Sequence, residues 1–321
     1  MTEVKNTIPL LAIIIPCYNE EEVIFQSISK ILAVLDLMVA NEQISANSYI
    51  CCVDDGSRDR TWELIQHEAL KERRVRGLKL STNFGHQNAL LAGLFNELKN
   101  ADCFLTIDAD LQDDVNVIPQ MVEKFREGNQ IVYGVRNNRE TDGVMKRRTA
   151  QLYYKLLSFL KVKTIYNHAD FRLASQKVIS NLERFDEVNL FLRGIFPLMG
   201  FKHEIVHYSR LSRAGGETKY PLRKMLSFAW EGVTSFNTSL LRLVTYIGVT
   251  MFLISIVTGI WVLVTYILGH SIRGWSSILL ITTAFLGVNM ISLGLIGEYV
   301  AKIYLEVKRR PRFIIEEETK K

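Results

Sequence analysis

Apolar runs and amphipathic stretches alternate over the first 135 residues of the chain. Five short runs with the apolar character of buried strands lie at 10–16, 49–53, 75–80, 103–107 and 131–135. Four longer stretches with apolar residues at helical spacing lie at 21–38, 61–73, 87–98 and 117–128. Strands and helices that alternate in this way predict βαβ units and a mostly parallel sheet.

Two uncharged segments follow in the C-terminal third. Residues 243–269 and 275–297 contain no Lys, Arg, Asp, Glu or His, and each is long enough to cross a bilayer as a helix. The short linker at 270–274 makes them a predicted transmembrane hairpin with both flanks on one side. A hairpin buried in a soluble fold is the alternative. The flanks are much richer in Lys and Arg than the linker, so the positive-inside rule predicts cytoplasmic termini.

The pattern divides the chain into four parts. Residues 1–220 form a predicted cytoplasmic α/β domain. Residues 221–241 have apolar positions at helical spacing, including Trp230, and predict an amphipathic helix. This helix lies in the membrane interface, packs on the N-terminal domain, or does both. The hairpin occupies 242–298, and 299–321 form a basic cytoplasmic tail.

Composition narrows the function classes. The 321 residues are 48% hydrophobic and 23% charged, with a net charge of +5. This balance does not indicate nucleic-acid binding, and no nucleic-acid-binding motif is present. The four cysteines have no zinc-site or redox spacing, so we expect them to be buried and reduced. The glycine patterns of a dinucleotide fold and of a P-loop are also missing from the sequence.

Polar motifs lie where the predicted strands end. They are Pro16-Cys-Tyr-Asn-Glu20, Asp54-Asp-Gly-Ser57, Asn83-Phe-Gly85 and Asp108-Ala-Asp-Leu-Gln112. Ligands bind beyond the carboxyl ends of parallel strands, so these motifs predict one site. In an extended strand end, the spacing of Asp108, Asp110 and Gln112 would place three oxygen ligands on one side. Such ligands suit Mg²⁺ or Mn²⁺, although aspartates in an ordinary turn are the alternative.

Together these motifs resemble the family 2 glycosyltransferases, which have a GT-A fold. Further motifs resemble the polyprenyl-phosphate branch of that family: Asp142-Gly-Val-Met-Lys-Arg-Arg-Thr149, Asp170-Phe-Arg-Leu173, Gly216-Glu-Thr-Lys-Tyr220 and Lys308-Arg-Arg-Pro311. The similarity is greatest to the bactoprenol glucosyltransferases, which are related to dolichol-phosphate mannose synthases. It extends from about Ile13 to Pro311. A processive polysaccharide synthase is disfavoured because the chain lacks Gln-x-x-Arg-Trp, and the intact Asp-x-Asp motif disfavours a non-catalytic membrane scaffold.

The resemblance implies an inverting, membrane-bound enzyme of the bacterial inner membrane. It would move a sugar, most closely glucose from UDP-glucose, onto undecaprenyl phosphate at the cytoplasmic face, for cell-envelope modification such as that of O-antigen. Mannose, N-acetylhexosamine and aminoarabinose remain alternative sugars. The resemblance also implies a homo-oligomer, with a tetramer as one candidate form.

The resemblance assigns roles to matching residues. The nucleotide sugar would be held by Pro16, Tyr18, Glu20, Asp54, Asp55 and Asp108. A Mg²⁺ or Mn²⁺ ion at Asp108, Asp110 and Gln112 would offset negative charge on the leaving diphosphate. The residues implied in catalysis are Asp170, Asp110 and Arg172, with Asp170 as a base or an orienting carboxylate.

The acceptor chemistry calls for cations. A phosphate monoester is already anionic at neutral pH, because its second pKa is about 6, and it needs little help from a base. Among the basic residues between the metal motif and the first uncharged segment, the candidates are Arg136, Arg147, Arg148, Arg172, Arg213 and Lys219. A solvated surface charge is the alternative for each. Arg172 and Arg213 are the preferred pair because their motifs follow the nucleotide-binding half.

Overall fold

The computed structural model describes residues 8–110, 112–136, 168–187, 192–209 and 275–319, with single positions between 246 and 268. The chain divides into two compact units. One comprises Met1–Met225 with Pro311–Lys321, and the other comprises Leu226–Arg310. The predicted amphipathic helix at 221–241 lies outside the described residues, as does nearly all of the first uncharged segment.

A mixed sheet forms the centre of the first unit. In the described ranges its strands are β1 (Leu11–Cys17), β2 (Tyr49–Asp54), β3 (Val75–Leu80), β4 (Cys103–Thr106), β5 (Ile131–Arg136), β6 (His168–Ser175), β7 (His203–Tyr208) and β8 (Ile315–Glu318). Their spatial order is β7-β5-β6-β4-β1-β2-β3-β8. Strands β1 to β4 pair in parallel, and so do β5 and β7. Strand β6 runs antiparallel to β4 and β5, and β8 runs antiparallel to β3. The predicted mostly parallel α/β sheet is confirmed.

The helices follow the strands in the predicted alternation. Those described are α1 (Ile24–Ala40), α2 (Thr61–Lys71), α3 (His86–Asn96), α4 (Ile118–Arg126), α5 (Gln176–Leu182), α6 (Leu192–Leu198) and α7 (Trp275–Lys308). Helix α7 includes the second uncharged segment. Among the described residues, no helix meets the combined length and apolarity needed to cross a bilayer, which gives the predicted hairpin no support.

The core packs against both faces of the central strands. Strand β1 is buried along its whole length because β2 and β4 flank it and helices cover its faces. Helix α1 turns one stripe inward, with Ile24, Ile28, Ile31 and Leu35 at helical spacing. The four cysteines are buried, as expected, and none of them forms a disulfide in the structure.

Strand β8 covers the outer edge of the sheet beside β3. Thr319 N donates to Gly77 O at 2.9 Å, and Gly77 N donates to Thr319 Oγ1 at 2.8 Å. Glu317 accepts hydrogen bonds from Trp62 Nε1 at 3.1 Å and from Gln66 Nε2 at 2.8 Å. A Cβ at residue 77 would lie 2.9 Å from Thr319 Cγ2, so glycine permits this close approach. Because an unpaired edge invites pairing with other chains, β8 protects β3.

The hydroxyl of Thr319 provides a test of this edge. In Thr319→Val the side chain keeps its bulk, but Gly77 N loses its acceptor, at a cost of about 1–2 kcal/mol. Amides of β3 and β8 should therefore exchange hydrogen roughly 5- to 30-fold faster in the full chain. Thr319→Ser keeps the hydroxyl and is the matched control. Equal exchange in the valine and serine variants would contradict the assignment.

Candidate active site

Strand β6 brings Asp170 beside Asp108 at the carboxyl edge of the sheet. Strands β4 and β6 pair antiparallel, with Thr106 opposite Arg172. The start of an antiparallel strand lies at the same edge as the ends of parallel strands, so Asp170 and Asp108 meet there. His86, the first residue of α3, joins them. Its Nε2 lies 3.5 Å from Asp108 Oδ1 and 3.7 Å from Asp170 Oδ2.

Two arginines hold Asp170. Arg172 Nη2 donates to Asp170 Oδ1, and Arg193 Nη2 donates to Asp170 Oδ2 at 2.9 Å. The Arg172 guanidinium also lies over the Phe196 ring, 4.5 Å from its centre. Burial alone would raise the pKa of Asp170, but Arg193, His86 and Arg172 hold it well below its ordinary value. Asp170 is therefore ionised at neutral pH.

Asp108 has the opposite electrostatic setting. Burial raises the pKa of Asp108 to about 6, although His86 opposes the shift. The carboxylates of Asp113, Asp170 and Asp110 add to it. Within the described chain, Asp108 Oδ1 is buried and makes no hydrogen bond. His86 Nε2, 3.5 Å away, compensates this oxygen only in part, so a further cation beside it would relieve the penalty and the oxygen itself suits a divalent ion.

The metal motif differs from the predicted extended strand end. Strand β4 ends at Thr106, and the chain turns at Ala109 and Asp110. Asp110 Oδ1 accepts a hydrogen bond from Gln112 N at 3.2 Å, and Gln112 is 8% exposed. The extended arrangement was therefore wrong, because Asp110 closes a turn on its own backbone. Within the described ranges, no group of three His, Cys, Asp or Glu side chains could hold a metal ion.

The two aspartates at the end of β2 have different surroundings. Asp55 accepts hydrogen bonds from Phe84 N at 2.7 Å and Gly85 N at 2.9 Å, and so fixes the third motif against the second. Asp54 is fully buried, and its Oδ2 accepts from Ser57 N at 3.3 Å. In the described part of the chain, Asp54 Oδ1 has no hydrogen-bond partner. Burial raises the pKa of both carboxyls. Asp55 thus has a structural task, and Asp54 suits a ligand.

The first motif is held by the second. Asn19 N donates to Ser57 Oγ at 3.0 Å, and Arg58 N donates to Asn19 Oδ1 at 2.8 Å. These bonds support the left-handed backbone of Asn19, whose φ is 55°. The predicted nucleotide-binding residues in this motif are buried Pro16, exposed Tyr18 and half-buried Glu20. The first two motifs therefore form one surface at the carboxyl edge.

Two predicted acceptor cations, Arg136 and Arg172, have carboxylate partners within the sheet, and the partner of Arg172 is Asp170. Arg136 Nη2 donates to Asp113 Oδ1 at 2.8 Å, and Arg136 Nε donates to Tyr208 Oη at 3.0 Å. Tyr208 Oη also donates to the buried Asp113. In this structure Arg136 compensates a buried carboxylate. The remaining four predicted cations, Arg147, Arg148, Arg213 and Lys219, lie outside the described residues.

The sequence analysis missed His86 and Arg193. His86 directly follows the Asn83-Phe-Gly85 motif, so its position at a strand-end motif was an available signal. Arg193 belongs to no motif in the sequence analysis. The fold brings it to Asp170 through α6, which Leu192 N ties to Gln87 Oε1 of α3 at 3.0 Å.

The chain is similar in sequence to known proteins of one family. The family described as Glycosyl transferase family 2 matches residues 12–182. The chain belongs to the family 2 glycosyltransferases. The uncharacterized glycosyltransferase YkoT of Bacillus subtilis (strain 168) is 47% identical, covering 97% of this chain and 93% of that protein. The prophage bactoprenol glucosyl transferase homolog of Escherichia coli (strain K12) is 38% identical, covering 95% and 98%. The predicted family and glycosyltransferase activity are confirmed.

Among solved structures, glucosyl-3-phosphoglycerate synthase of Mycobacterium tuberculosis is similar to this glycosyltransferase over 70% of this chain and 78% of that one. The sequence identity is 16% and the TM-score is 0.46.

Amide substitutions should separate Asp54 from Asp55. In Asp55→Asn the amide nitrogen would face one of two backbone N–H groups, so we expect a loss of about 2–3 kcal/mol in the free energy of unfolding. Asp54→Asn removes a buried charge and should leave stability unchanged or higher, while weakening UDP binding. Denaturant unfolding and calorimetry on the full chain measure the two effects. Equal destabilisation by both variants would refute this division of roles.

Proposed function

We propose that this glycosyltransferase moves glucose from UDP-glucose to undecaprenyl phosphate and inverts the anomeric centre. The observation that carries the proposal is the meeting of Asp108 and Asp170, with His86, at the carboxyl edge of the sheet. Glucose and the lipid acceptor are supported by the relative named as a bactoprenol glucosyl transferase homolog, which matches nearly the whole chain.

The donor would lie over the first three strand-end motifs. Asp54 Oδ1, buried and without a hydrogen bond in the described residues, suits a nucleoside hydroxyl or N–H group. A Mg²⁺ or Mn²⁺ ion, when bound at Asp108 and Asp110, would stabilise the negative charge that develops on the leaving UDP. Gln112 stays a predicted third ligand; it is 8% exposed, and its backbone N–H donates to Asp110 Oδ1 at 3.2 Å.

The transfer itself is a single displacement. An oxygen of the lipid phosphate attacks the anomeric carbon of glucose from the side opposite UDP. A new bond forms between this phosphate oxygen and the anomeric carbon. At the same time the bond between that carbon and the diphosphate oxygen breaks, and UDP leaves with the electron pair. Because the attacking phosphate is already anionic, the step requires positioning and charge compensation more than proton removal.

Transfer from UDP-glucose tests this proposal directly. The purified full chain with Mn²⁺ and undecaprenyl phosphate should release UDP and form a glucosyl lipid, and a chelator should stop the reaction. Asp110→Ala should reduce turnover by at least about 100-fold without loss of folding, because it removes a group beside the metal rather than a core side chain. Undiminished turnover in Asp110→Ala would exclude the metal site.

The identity of the sugar is tested in the same assay. UDP-N-acetylglucosamine and GDP-mannose replace UDP-glucose in parallel reactions. Faster transfer of either sugar than of glucose would overturn the assignment of glucose while leaving the lipid acceptor in place. Hydrolysis of UDP-glucose without any glycolipid product would overturn the acceptor assignment.

We also propose that the chain is anchored in a bacterial inner membrane by the hairpin at 242–298, with the enzyme domain and both termini in the cytoplasm. The support comes from the sequence. The uncharged segments 243–269 and 275–297 are of spanning length, and their flanks carry most of the nearby basic residues. A membrane position would also bring the enzyme domain to an acceptor whose headgroup is confined to the interface.

Cysteine labelling tests this topology. The native cysteines are buried, so background labelling should be low. In intact cells, Ser271→Cys should react with an impermeant thiol reagent added from outside, and Lys321→Cys should react only after the membrane is opened. Labelling of Lys321→Cys in intact cells, with protection of Ser271→Cys, would reverse the topology.

A further inference from the structure

Both oxygens of Asp170 are engaged by guanidinium groups. Oδ1 accepts from Arg172 Nη2, with Arg193 Nε at 3.5 Å, and Oδ2 accepts from Arg193 Nη2 at 2.9 Å. His86 Nε2 lies 3.7 Å from Oδ2. A carboxylate in these surroundings is stabilised in its ionised form and is a poor proton acceptor. Its low pKa agrees with this geometry. The arrangement therefore suits an anchor for the arginines better than a base.

The two arginines differ in what they can reach. The Arg172 side chain is 2% exposed, and its Nη1 also donates to Leu192 O at 3.4 Å. With its guanidinium over an aromatic ring as well, Arg172 is fixed within the domain. The Arg193 side chain is 41% exposed while two of its nitrogens face Asp170. Arg193 thus presents an oriented cation to solvent at the same edge as Asp108.

We infer that Arg193 makes a direct contact with a substrate phosphate, and that Asp170 serves as the anchor that orients Arg193. This inference rests on the proposed function, in which phosphate groups of donor and acceptor meet beside Asp108. A guanidinium binds phosphate through charge-assisted hydrogen bonds, and a guanidinium already oriented by a carboxylate loses less freedom on binding. The phosphate belongs either to UDP or to the lipid, and binding measurements distinguish the two.

Equilibrium binding to the full chain tests the contact without requiring turnover. UDP with Mn²⁺ and undecaprenyl phosphate are titrated separately into the wild type, Arg193→Gln and Arg193→Lys. Arg193→Gln should weaken at least one of these ligands by roughly 10- to 100-fold. Arg193→Lys keeps the charge but not the fork of donors, and should lose less. Thermal unfolding establishes whether each variant is folded. If Arg193→Gln does not fold, the binding affinities of Arg193→Lys test the contact instead.

Arg74→Gln is the matched control. Arg74 precedes β3 at the amino edge of the sheet, where its Nη1 lies 2.8 Å from Asp36 Oδ1. It resembles Arg193 in pairing with a carboxylate but is remote from the strand ends that form the site. Both dissociation constants should be unchanged in Arg74→Gln. A loss there equal to the loss in Arg193→Gln would show a general effect of charge and overturn the inference.

A double-mutant cycle tests the role of Asp170. If Asp170 acts by orienting Arg193, Asp170→Asn should weaken the same ligand, and the double variant should bind no worse than Arg193→Gln alone. Multiplicative losses would show that the two residues act independently and would overturn the anchor role.

The binding arms identify the phosphate. A loss confined to undecaprenyl phosphate assigns Arg193 to the acceptor, and a loss confined to UDP assigns it to the donor diphosphate. Dissociation constants that stay within about twofold for both ligands, or a wild type that binds neither, would overturn the inference. Failure to transfer glucose would count against the proposed function alone, because these titrations do not depend on turnover.

Discussion

Burial of carboxylates at the edge of an apolar sheet is the constraint on which the site depends. A carboxylate removed from water is unfavourable unless hydrogen bonds or cations compensate its charge. Asp55 is compensated by two backbone N–H groups, and Asp170 by two guanidiniums. Asp54 and Asp108 each keep a buried oxygen that makes no hydrogen bond in the described part of the chain. The edge therefore holds two kinds of carboxylate. Some stabilise the fold through bonds within the protein, and for others a bound ligand would offset the free-energy cost of burial.

The first five strands and four helices were predictable because each follows one simple rule of periodicity. Strand β6 was not, since Asp170 and Arg172 interrupt its apolar pattern. They are tolerated inside the sheet because they bond to each other and Arg193 also bonds Asp170. Strand β8 was hidden for a different reason. Its sequence, Ile-Glu-Glu-Glu, has little strand propensity of its own, and it forms a strand through pairing with β3 and the bonds of Thr319.

The location of the site could be predicted from the sequence, but the roles of several of its residues could not. Strand-end motifs converge in any parallel sheet, so their meeting needed no knowledge of side-chain contacts. Which aspartate is satisfied by the backbone depends on where a loop from another motif passes, as with Asp55 and Phe84. Arg193 acquires its position from a partner distant in the sequence, so a single sequence contains no local pattern that would reveal it.

The C-terminal strand makes completion of the sheet a late event in biosynthesis. Translation produces β1 to β7 first, then residues 226–310, and only afterwards the strand that pairs with β3. A nascent chain therefore carries an open, adhesive edge while the apolar segments between are being made. Ribosome stalling or premature termination within those segments would leave an enzyme domain whose outer edge can associate with other nascent chains.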